Sequence, residues 1–129
     1  MNILVVDDSM THRIKVSRCL EDLGHNVCYA IDGAHAMESI EKSQESNNAF
    51  NAIFLDINMP RISGMKLIKM LANRRDFDFE STKVVMVTTE TTKEFMNDAK
   101  QLGVYGWMVK PISDDKLKKF VSKLEDEDA

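Results

Sequence analysis

The sequence predicts an α/β fold, a five-stranded parallel sheet with five helices packed on both faces. Five short apolar runs rich in Val and Ile predict strands, and most do not alternate with polar residues, as expected for strands covered on both faces. A segment with helical spacing follows each run, and this alternation implies right-handed βαβ crossovers. The predicted strands are Ile3–Val6, Val27–Ile31, Ala52–Leu55, Val84–Val87 and Gly106–Val109.

The segments after these strands carry apolar stripes at helical spacing. The stripe within Leu117–Leu124 is the clearest, because its apolar residues recur at i, i+3, i+4 and i+7. Gly24 and Gly103 follow the first and fourth stripes, and a glycine in this place commonly closes a helix. The other stripes are Val16, Cys19, Leu20 and Leu23; Ala36, Met37 and Ile40; Leu67, Ile68 and Leu71; and Phe95, Ala99 and Leu102.

Length and composition predict a single domain over residues 1–129, with an acidic end, residues 125–129, that we expect to be flexible. The net charge of -4 argues against a general nucleic-acid surface, which needs a basic face. No apolar run approaches the roughly 20 residues of a membrane helix, and none resembles a secretion signal. We therefore expect a cytoplasmic protein in which Cys19 and Cys28 are buried, reduced thiols.

Chemically capable residues stand at the ends of four predicted strands. Asp7 and Asp8 follow the first strand, Asp56 the third, Thr88 the fourth and Lys110 the fifth. In open α/β sheets, ligands bind at the carboxyl ends of the strands, where the chain reverses its winding direction. These side chains are therefore predicted to converge at one edge of the sheet.

Each of these residues has a plainer explanation when it is taken alone. The run Asp7-Asp8-Ser9 could be a turn in which Ser9 caps the next helix, and Thr88 could cap the helix that follows it. Asp56 could begin a loop closed by turn-forming residues, and Lys110 could be one more exposed lysine. Four such coincidences at the same end of one sheet are hard to accept, so the joint placement favours a functional site.

The clustered carboxylates point to a cation and to phosphoryl chemistry. Three carboxylates packed together repel, so at neutral pH at least one should take up a proton unless a cation joins them. Mg²⁺ suits such a site, because it takes oxygen ligands, uses one or two carboxylates and keeps waters for a phosphate oxygen. Asp56 fits the role of nucleophile toward phosphorus, Lys110 that of a charge partner and Thr88 that of a hydrogen-bond donor.

Four motifs carry a family resemblance, and they span Ile3 to Lys110 of the chain. They are Val5-Val6-Asp7-Asp8-Ser9; Leu55-Asp56-Ile57-Asn58-Met59-Pro60 with Gly64 following; Met86-Val87-Thr88-Thr89-Glu90; and Met108-Val109-Lys110-Pro111. Together they resemble the receiver domains of bacterial response regulators, and most of all the single-domain chemotaxis (CheY-like) type. The resemblance implies the flavodoxin-like strand order 2-1-3-4-5 of that family.

The resemblance implies a phosphorylation-dependent switch of a two-component system. Asp56 would accept the phosphoryl group from a phosphohistidine of a sensor histidine kinase or a phosphotransfer protein. Asp7, Asp8, Asp56 and the backbone carbonyl of Asn58 would hold Mg²⁺, with Asp8 nearer the ion than Asp7. Such a protein catalyses only its own phosphorylation and dephosphorylation, and is not otherwise an enzyme.

The resemblance also implies how phosphorylation changes the conformation of the protein. Lys110 would pair with the phosphoryl oxygens, Thr88 would hydrogen-bond one of them, and the Lys110-Pro111 bond would be cis. As Thr88 moves, it vacates space that an aromatic residue can fill, here Trp107 where Tyr or Phe is usual. Two hypotheses stay open for Trp107: it moves inward, or it packs on the surface between the fourth helix and the fifth strand.

Phosphoryl lifetime and output are further implications of the family. Asn58 and Glu90 would tune the lifetime toward fairly rapid self-dephosphorylation, unless both are ordinary surface residues. Output would pass to a downstream protein through the face formed by the fourth helix, fifth strand and fifth helix, around Thr92–Lys100, Tyr105, Trp107 and Lys116–Lys123. We expect no nucleic-acid or membrane partner, and either a monomer or a weak homodimer.

Three alternatives compete with a stand-alone receiver. A haloacid-dehalogenase-like phosphohydrolase needs Asp-x-Asp after the first strand, whereas Asp7 and Asp8 are adjacent. A flavodoxin-like cofactor binder needs a phosphate loop rich in Ser, Thr and Gly, and these two aspartates would repel that phosphate. A receiver excised from a larger regulator with an output domain is the third alternative.

Overall fold

Five strands and five helices alternate along the residues that the computed structural model describes, which are 1–59, 63–89 and 92–128. The strands are β1 (Asn2–Val6), β2 (Asn26–Ala30), β3 (Ala52–Asp56), β4 (Lys83–Thr88) and β5 (Gly106–Val109). The helices are α1 (Met10–Asp22), α2 (Gly33–Glu45), α3 (Gly64–Ala72), α4 (Lys93–Leu102) and α5 (Asp114–Asp128). The predicted order of elements is confirmed.

The strands form one sheet in the order β2-β1-β3-β4-β5, and each neighbouring pair is parallel. The predicted fold class and strand order are therefore confirmed. Every strand begins and ends within one residue of its predicted bounds. Two of these small differences concern the site, because Asp56 and Thr88 are the last residues of β3 and β4 rather than the first residues after them.

The apolar core is divided between the two faces of the sheet. Alternate residues of β1 show the division, since Leu4 packs on one side and Val5 on the other. Helices α2, α3 and α4 cover the first side, and helices α1 and α5 cover the second. All five residues of β3 are buried, as expected for the central strand of a doubly covered sheet.

Strand β2 departs from the prediction that strands are covered on both faces. It is an outer strand that pairs with β1 alone, and of its residues only Ala30 is buried. Cys28 is consequently exposed, so the prediction that it is buried was wrong. Cys19 is buried on the inner side of α1, and both thiols are free, as predicted.

Helix ends are set by local capping chemistry. Ser9 caps α1 by accepting a hydrogen bond from the backbone N–H of His12, so the capping explanation that the sequence allowed for Ser9 is confirmed. Thr92, rather than Thr88, caps α4, so the capping explanation for Thr88 was wrong. At the other end of α4, Gly103 has φ +112°, a conformation that favours glycine.

Helix α5 continues through Asp128 and so includes most of the acidic end of the chain. The flexibility of residues 125–129 in solution stays a prediction. Within the described ranges, none of the helices combines the length and apolar character needed to cross a bilayer.

Candidate functional site

The carboxyl edge of the sheet brings the predicted site residues together. Backbone hydrogen bonds continue the strand pairing to this edge, with the Asp7 N–H donating to Ala30 at 3.1 Å and the Lys110 N–H donating to Thr88 at 2.9 Å. The residues at the ends of β1, β3, β4 and β5 are thus fixed by the sheet itself. The site is therefore built on strand ends and needs no long loop to position its central groups.

Asp7, Asp8 and Asp56 form the carboxylate cluster that the sequence predicts. One oxygen from each lies within 4.8 Å of the others. Asp7 and Asp56 are each 2% exposed, whereas Asp8 is exposed at the mouth of the cleft. Two buried carboxylates and one solvent-facing carboxylate form a donor set of hard oxygen atoms, which fits Mg²⁺.

The Asp56 carboxylate is held through one of its two oxygens. Oδ1 accepts hydrogen bonds from Lys110 Nζ at 2.9 Å and from the backbone N–H of Asn58 at 3.0 Å. No residue in the described part of the chain donates to Oδ2. The side chain is only 3% exposed, so this ion pair lies in an environment that screens charge weakly.

Helix α1 holds the Asp7 carboxylate through its first turn. Oδ1 accepts a hydrogen bond from the backbone N–H of Ser9 at 2.8 Å, and Oδ2 contacts His12 Nδ1. Burial raises the pKa of Asp7, but the hydrogen bonds from His12 and Ser9 and the positive charge of Lys110 together lower it below its usual value. Asp7 is therefore not the carboxylate of the cluster expected to take up a proton.

His12 is a site residue that the sequence analysis did not identify. The signal available in the sequence was its place three residues after the helix-capping Ser9, which puts it in the first turn of α1. Arg13, the next residue, adds a hydrogen bond from its guanidinium to the Asp7 carbonyl at 2.8 Å. Nothing in the apolar pattern of the helix marks either side chain as facing the cluster.

An open cleft of ≈ 490 Å³ lies over these groups. Thr88, at the end of β4, is fully buried, while Thr89 lines the cleft and accepts a hydrogen bond from Asn58 Nδ2 at 3.3 Å. The Lys110-Pro111 peptide bond at the cleft is cis, as the resemblance implied. The cleft is lined by Asp7, Asp8, Ser9, His12, Lys15, Asp56, Asn58, Thr89, Lys110, Pro111 and Ile112.

Trp107 lies on β5 opposite Met86 of β4 and is half-buried. It packs against the core cluster on the side of α2, α3 and α4, and it also lines a surface groove with Phe120. This placement has features of both hypotheses for Trp107, so movement on phosphorylation stays a prediction. Glu90, the second residue predicted to tune phosphoryl lifetime, lies outside the described residues.

Comparison with known families identifies the family to which the chain belongs. A model described as the response regulator receiver domain matches residues 3–122. The chain belongs to this family. Receiver domains are signalling switches rather than classical enzymes, and membership excludes the dehalogenase-like and flavodoxin-like alternatives.

Individual relatives of this receiver domain are chemotaxis proteins. The chain is 36% identical to chemotaxis protein CheY-3 of Vibrio cholerae, over 96% of this chain and 91% of that protein. It is 35% identical to a chemotaxis protein CheY homolog of Campylobacter jejuni, over 98% of this chain and 91% of that protein. A solved structure of Vibrio cholerae chemotaxis protein CheY4 superposes with a TM-score of 0.81 at 35% identity, over 95% of this chain and 97% of that one.

Proposed function

We propose that this receiver domain accepts a phosphoryl group on Asp56 from a phosphohistidine of a sensor kinase or phosphotransfer protein. The supporting observation is the state of the Asp56 carboxylate. Its Oδ1 is held by Lys110 and Asn58, while its Oδ2 accepts no hydrogen bond from the described residues. A buried carboxylate with one restrained and one unengaged oxygen is suited to act as a nucleophile.

The proposed transfer moves one phosphoryl group between two residues. Oδ2 of Asp56 forms the new bond to phosphorus, and the bond between phosphorus and the donor imidazole nitrogen breaks. The nitrogen leaves with the bonding electron pair, so the donor histidine is restored and Asp56 becomes an aspartyl phosphate. Lys110 stands 2.9 Å from the same carboxylate, where its positive charge offsets charge on the transferring oxygens.

The carboxylate cluster supports a role for Mg²⁺ in this step. Asp7, Asp8 and Asp56 would hold the ion, and the backbone carbonyl of Asn58 is the fourth protein ligand that we propose. When bound, the ion neutralises charge that develops on the phosphoryl oxygens. The protein residues orient the acceptor and exclude water from its buried side.

We further propose that Thr88 and Trp107 carry the signal away from the site. Thr88 is fully buried at the end of β4, directly after Val87, which pairs with Asp56. This position supports the proposal that its hydroxyl hydrogen-bonds a phosphoryl oxygen. Trp107 packs on the neighbouring strand and lines the surface groove, so space vacated near Thr88 can change its position. Asn58 lines the cleft and, with Glu90, is proposed to set the rate of self-dephosphorylation.

The partner surface that we propose is the face formed by α4, β5 and α5. Its groove is lined by Trp107, Phe120 and three lysines of α5, which gives an apolar strip edged by positive charge. Such a strip suits an acidic, partly apolar segment of a downstream protein. The named relatives are chemotaxis proteins matched over 91% of their length, which supports a chemotaxis-type regulator. We propose that it acts in the cytoplasm as a monomer or weak homodimer.

The phosphoacceptor is tested by incubation with acetyl phosphate and Mg²⁺, followed by intact-mass measurement. Wild-type protein should gain one phosphoryl group, and Asp56→Asn should gain none. Asp22→Asn, which changes an exposed aspartate at the end of α1, is the matched control and should label like the wild type. Equal labelling of Asp56→Asn and wild type would contradict the proposal.

A further inference from the structure

His12 contacts the Asp7 carboxylate and takes no part in the proposed phosphoryl transfer. Its Nδ1 atom meets Asp7 Oδ2 from the first turn of α1, and its side chain is 22% exposed. An ionised carboxylate can only accept hydrogen bonds, so Nδ1 must carry the proton at this contact. His12 is thus a hydrogen-bond donor to a residue of the carboxylate cluster.

The contact completes the fixing of Asp7. With Oδ1 held by the Ser9 N–H and Oδ2 held by His12, rotation of the carboxylate about its Cβ–Cγ bond would break both hydrogen bonds. Each carboxylate oxygen offers about two lone-pair positions. One accepted hydrogen bond per oxygen therefore leaves a second position free for a cation or one of its waters.

Helix α1 is itself anchored beside the site, so the backbone at His12 is held in place. Arg13 donates to the Asp7 carbonyl at 2.8 Å, and Lys15 Nζ donates to the Ile112 carbonyl at 2.8 Å, beyond the cis bond at Pro111. The first two turns of the helix are tied in this way to the end of β1 and to the segment that follows β5. His12 therefore projects from a part of the helix that is held on both sides of the site.

We propose that His12 is a positioning residue that orients Asp7 for the divalent cation, a role that rests on the proposed function. It acts through the Nδ1–H donor and needs no contact with the ion or with the phosphoryl group. Hydrogen-bond partners of metal ligands commonly change metal affinity by about 10–100-fold when they are removed. His12 should accordingly control how tightly the site binds Mg²⁺ and leave the chemistry of Asp56 intact.

The test measures binding of Mg²⁺ alone by isothermal titration calorimetry. His12→Ala should weaken binding by about tenfold. His12→Asn should restore most of the affinity, because its amide nitrogen can donate from nearly the position of Nδ1. Thr11→Ala, at the exposed neighbouring position of α1, should bind like the wild type. Urea unfolding in EDTA verifies that each variant is folded.

Phosphorylation by acetyl phosphate gives the second measurement. For His12→Ala, the Mg²⁺ concentration giving half-maximal rate should rise by the same factor, and the rate at saturating Mg²⁺ should be unchanged. A His12→Ala variant that binds Mg²⁺ as tightly as the wild type, or more tightly, overturns the positioning role, and so does failure of His12→Asn to restore affinity. Wild-type protein that binds no Mg²⁺ would instead remove the proposed function, and this inference with it.

Discussion

At the scale of single residues, Asp56 shows how a buried group can stay chemically available. Lys110 offsets its charge and Asn58 fixes its position, but both act on Oδ1. A buried carboxylate without a charge partner would be costly, and removing one partner of such a pair typically costs about 3–5 kcal/mol. Lys110 therefore keeps the buried Asp56 charge from being unpaired, and no described residue donates a hydrogen bond to Oδ2.

Gly64, the first residue of α3, is required by a close approach to the Asp56 strand end. A Cβ atom at this position would lie 2.7 Å from Ile57 Cα and 2.8 Å from the Asp56 carbonyl oxygen, and a backbone cannot yield as a flexible side chain can. We expect Gly64→Ala to lower the free energy of unfolding by about 3 kcal/mol in urea denaturation. Labelling of Asp56 by acetyl phosphate should fall as well, because the backbone of Asp56 and Ile57 must shift.

Gly24→Ala supplies the contrast for Gly64→Ala. Gly24 has φ +91° but nothing within 4 Å of a Cβ, so its replacement carries backbone strain without a clash. That strain corresponds to about 1–2 kcal/mol, and the variant should still accept the phosphoryl group normally. If Gly64→Ala costs no more than Gly24→Ala, the close approach is not what requires glycine at position 64.

Tyr105 makes the stability of the folded protein depend on pH in the alkaline range. Its hydroxyl is buried and makes no well-formed hydrogen bond to the described residues, and burial together with the nearby Glu127 carboxylate raises its pKa from 10.0 to about 12. A raised pKa stabilises the fold fully below pH 10, and this contribution is lost as the pH rises through about 12. Absorbance titration of tyrosinate should show a step near pH 12 that Tyr105→Phe lacks.

Tyr29→Phe is the matched control, since Tyr29 is the other tyrosine and lies exposed on the outer strand β2. This variant should retain the step near pH 12. The difference in unfolding free energy between wild type and Tyr105→Phe should decrease between pH 10 and pH 12. A step that disappears with Tyr29→Phe would show that the wrong hydroxyl had been assigned.

At the scale of elements, the sequence identified strands better than it identified their surroundings. The apolar runs located each strand to within one residue, because the buried residues of a strand have apolar side chains and these are visible in the sequence. The run Val27–Ile31 resembled a buried strand, yet β2 lies at the edge and Cys28 is exposed. Which strand is outermost depends on contacts between distant segments, so it came only from the family resemblance.

The sequence predicted the site residues at the strand ends, because those positions follow from the positions of the strands. It did not predict the side-chain contacts around them. Parallel strands share one carboxyl edge, so Asp7, Asp56 and Lys110 were predicted to lie at the same edge once the strands were located. Their closeness depends also on the strand order, which the family resemblance implied. The contact of His12 with Asp7 depends on the rotation of α1 about its axis and on a side-chain rotamer. Neither quantity is specified by the apolar periodicity of the helix.

Strand β5 carries the residue through which activation can be observed. Trp107 is the only tryptophan of the chain and is half-buried at the groove between β5 and α5, so its emission reports on this element alone. We expect the emission to change when beryllium fluoride, a phosphoryl mimic, is added with Mg²⁺. The change should be absent from Asp56→Asn, and Thr88→Ala should bind the mimic with a reduced change. An unchanged wild-type spectrum would argue against movement of Trp107.

At the scale of the whole molecule, the fold holds together a carboxylate cluster that lowers the stability of the folded domain. Two core clusters enclose the sheet, and the rigid strand ends force three carboxylates to lie within 4.8 Å of one another. Charges of like sign at this distance repel strongly where water is partly excluded. The stability of the whole domain should therefore depend on whether a cation is bound at one edge of its sheet.

This dependence predicts that Mg²⁺ stabilises the entire domain against urea. A ligand that binds only the folded state at 100 times its dissociation constant raises the free energy of unfolding by about 2.7 kcal/mol. Wild-type protein should show this increase between EDTA and saturating Mg²⁺. Asp8→Asn should show little of it, because the variant loses the exposed carboxylate of the cluster.

The same variant separates binding from repulsion. In EDTA, Asp8→Asn should be at least as stable as the wild type, since one of three repelling charges has been removed and no hydrogen bond between Asp8 and the described residues is lost. Asp22→Asn removes an exposed charge far from the cleft and should keep the full increase with Mg²⁺. If Mg²⁺ raised the free energy of unfolding equally in Asp8→Asn and wild type, the ion would act elsewhere on the protein. The carboxylate cluster would then not be its binding site.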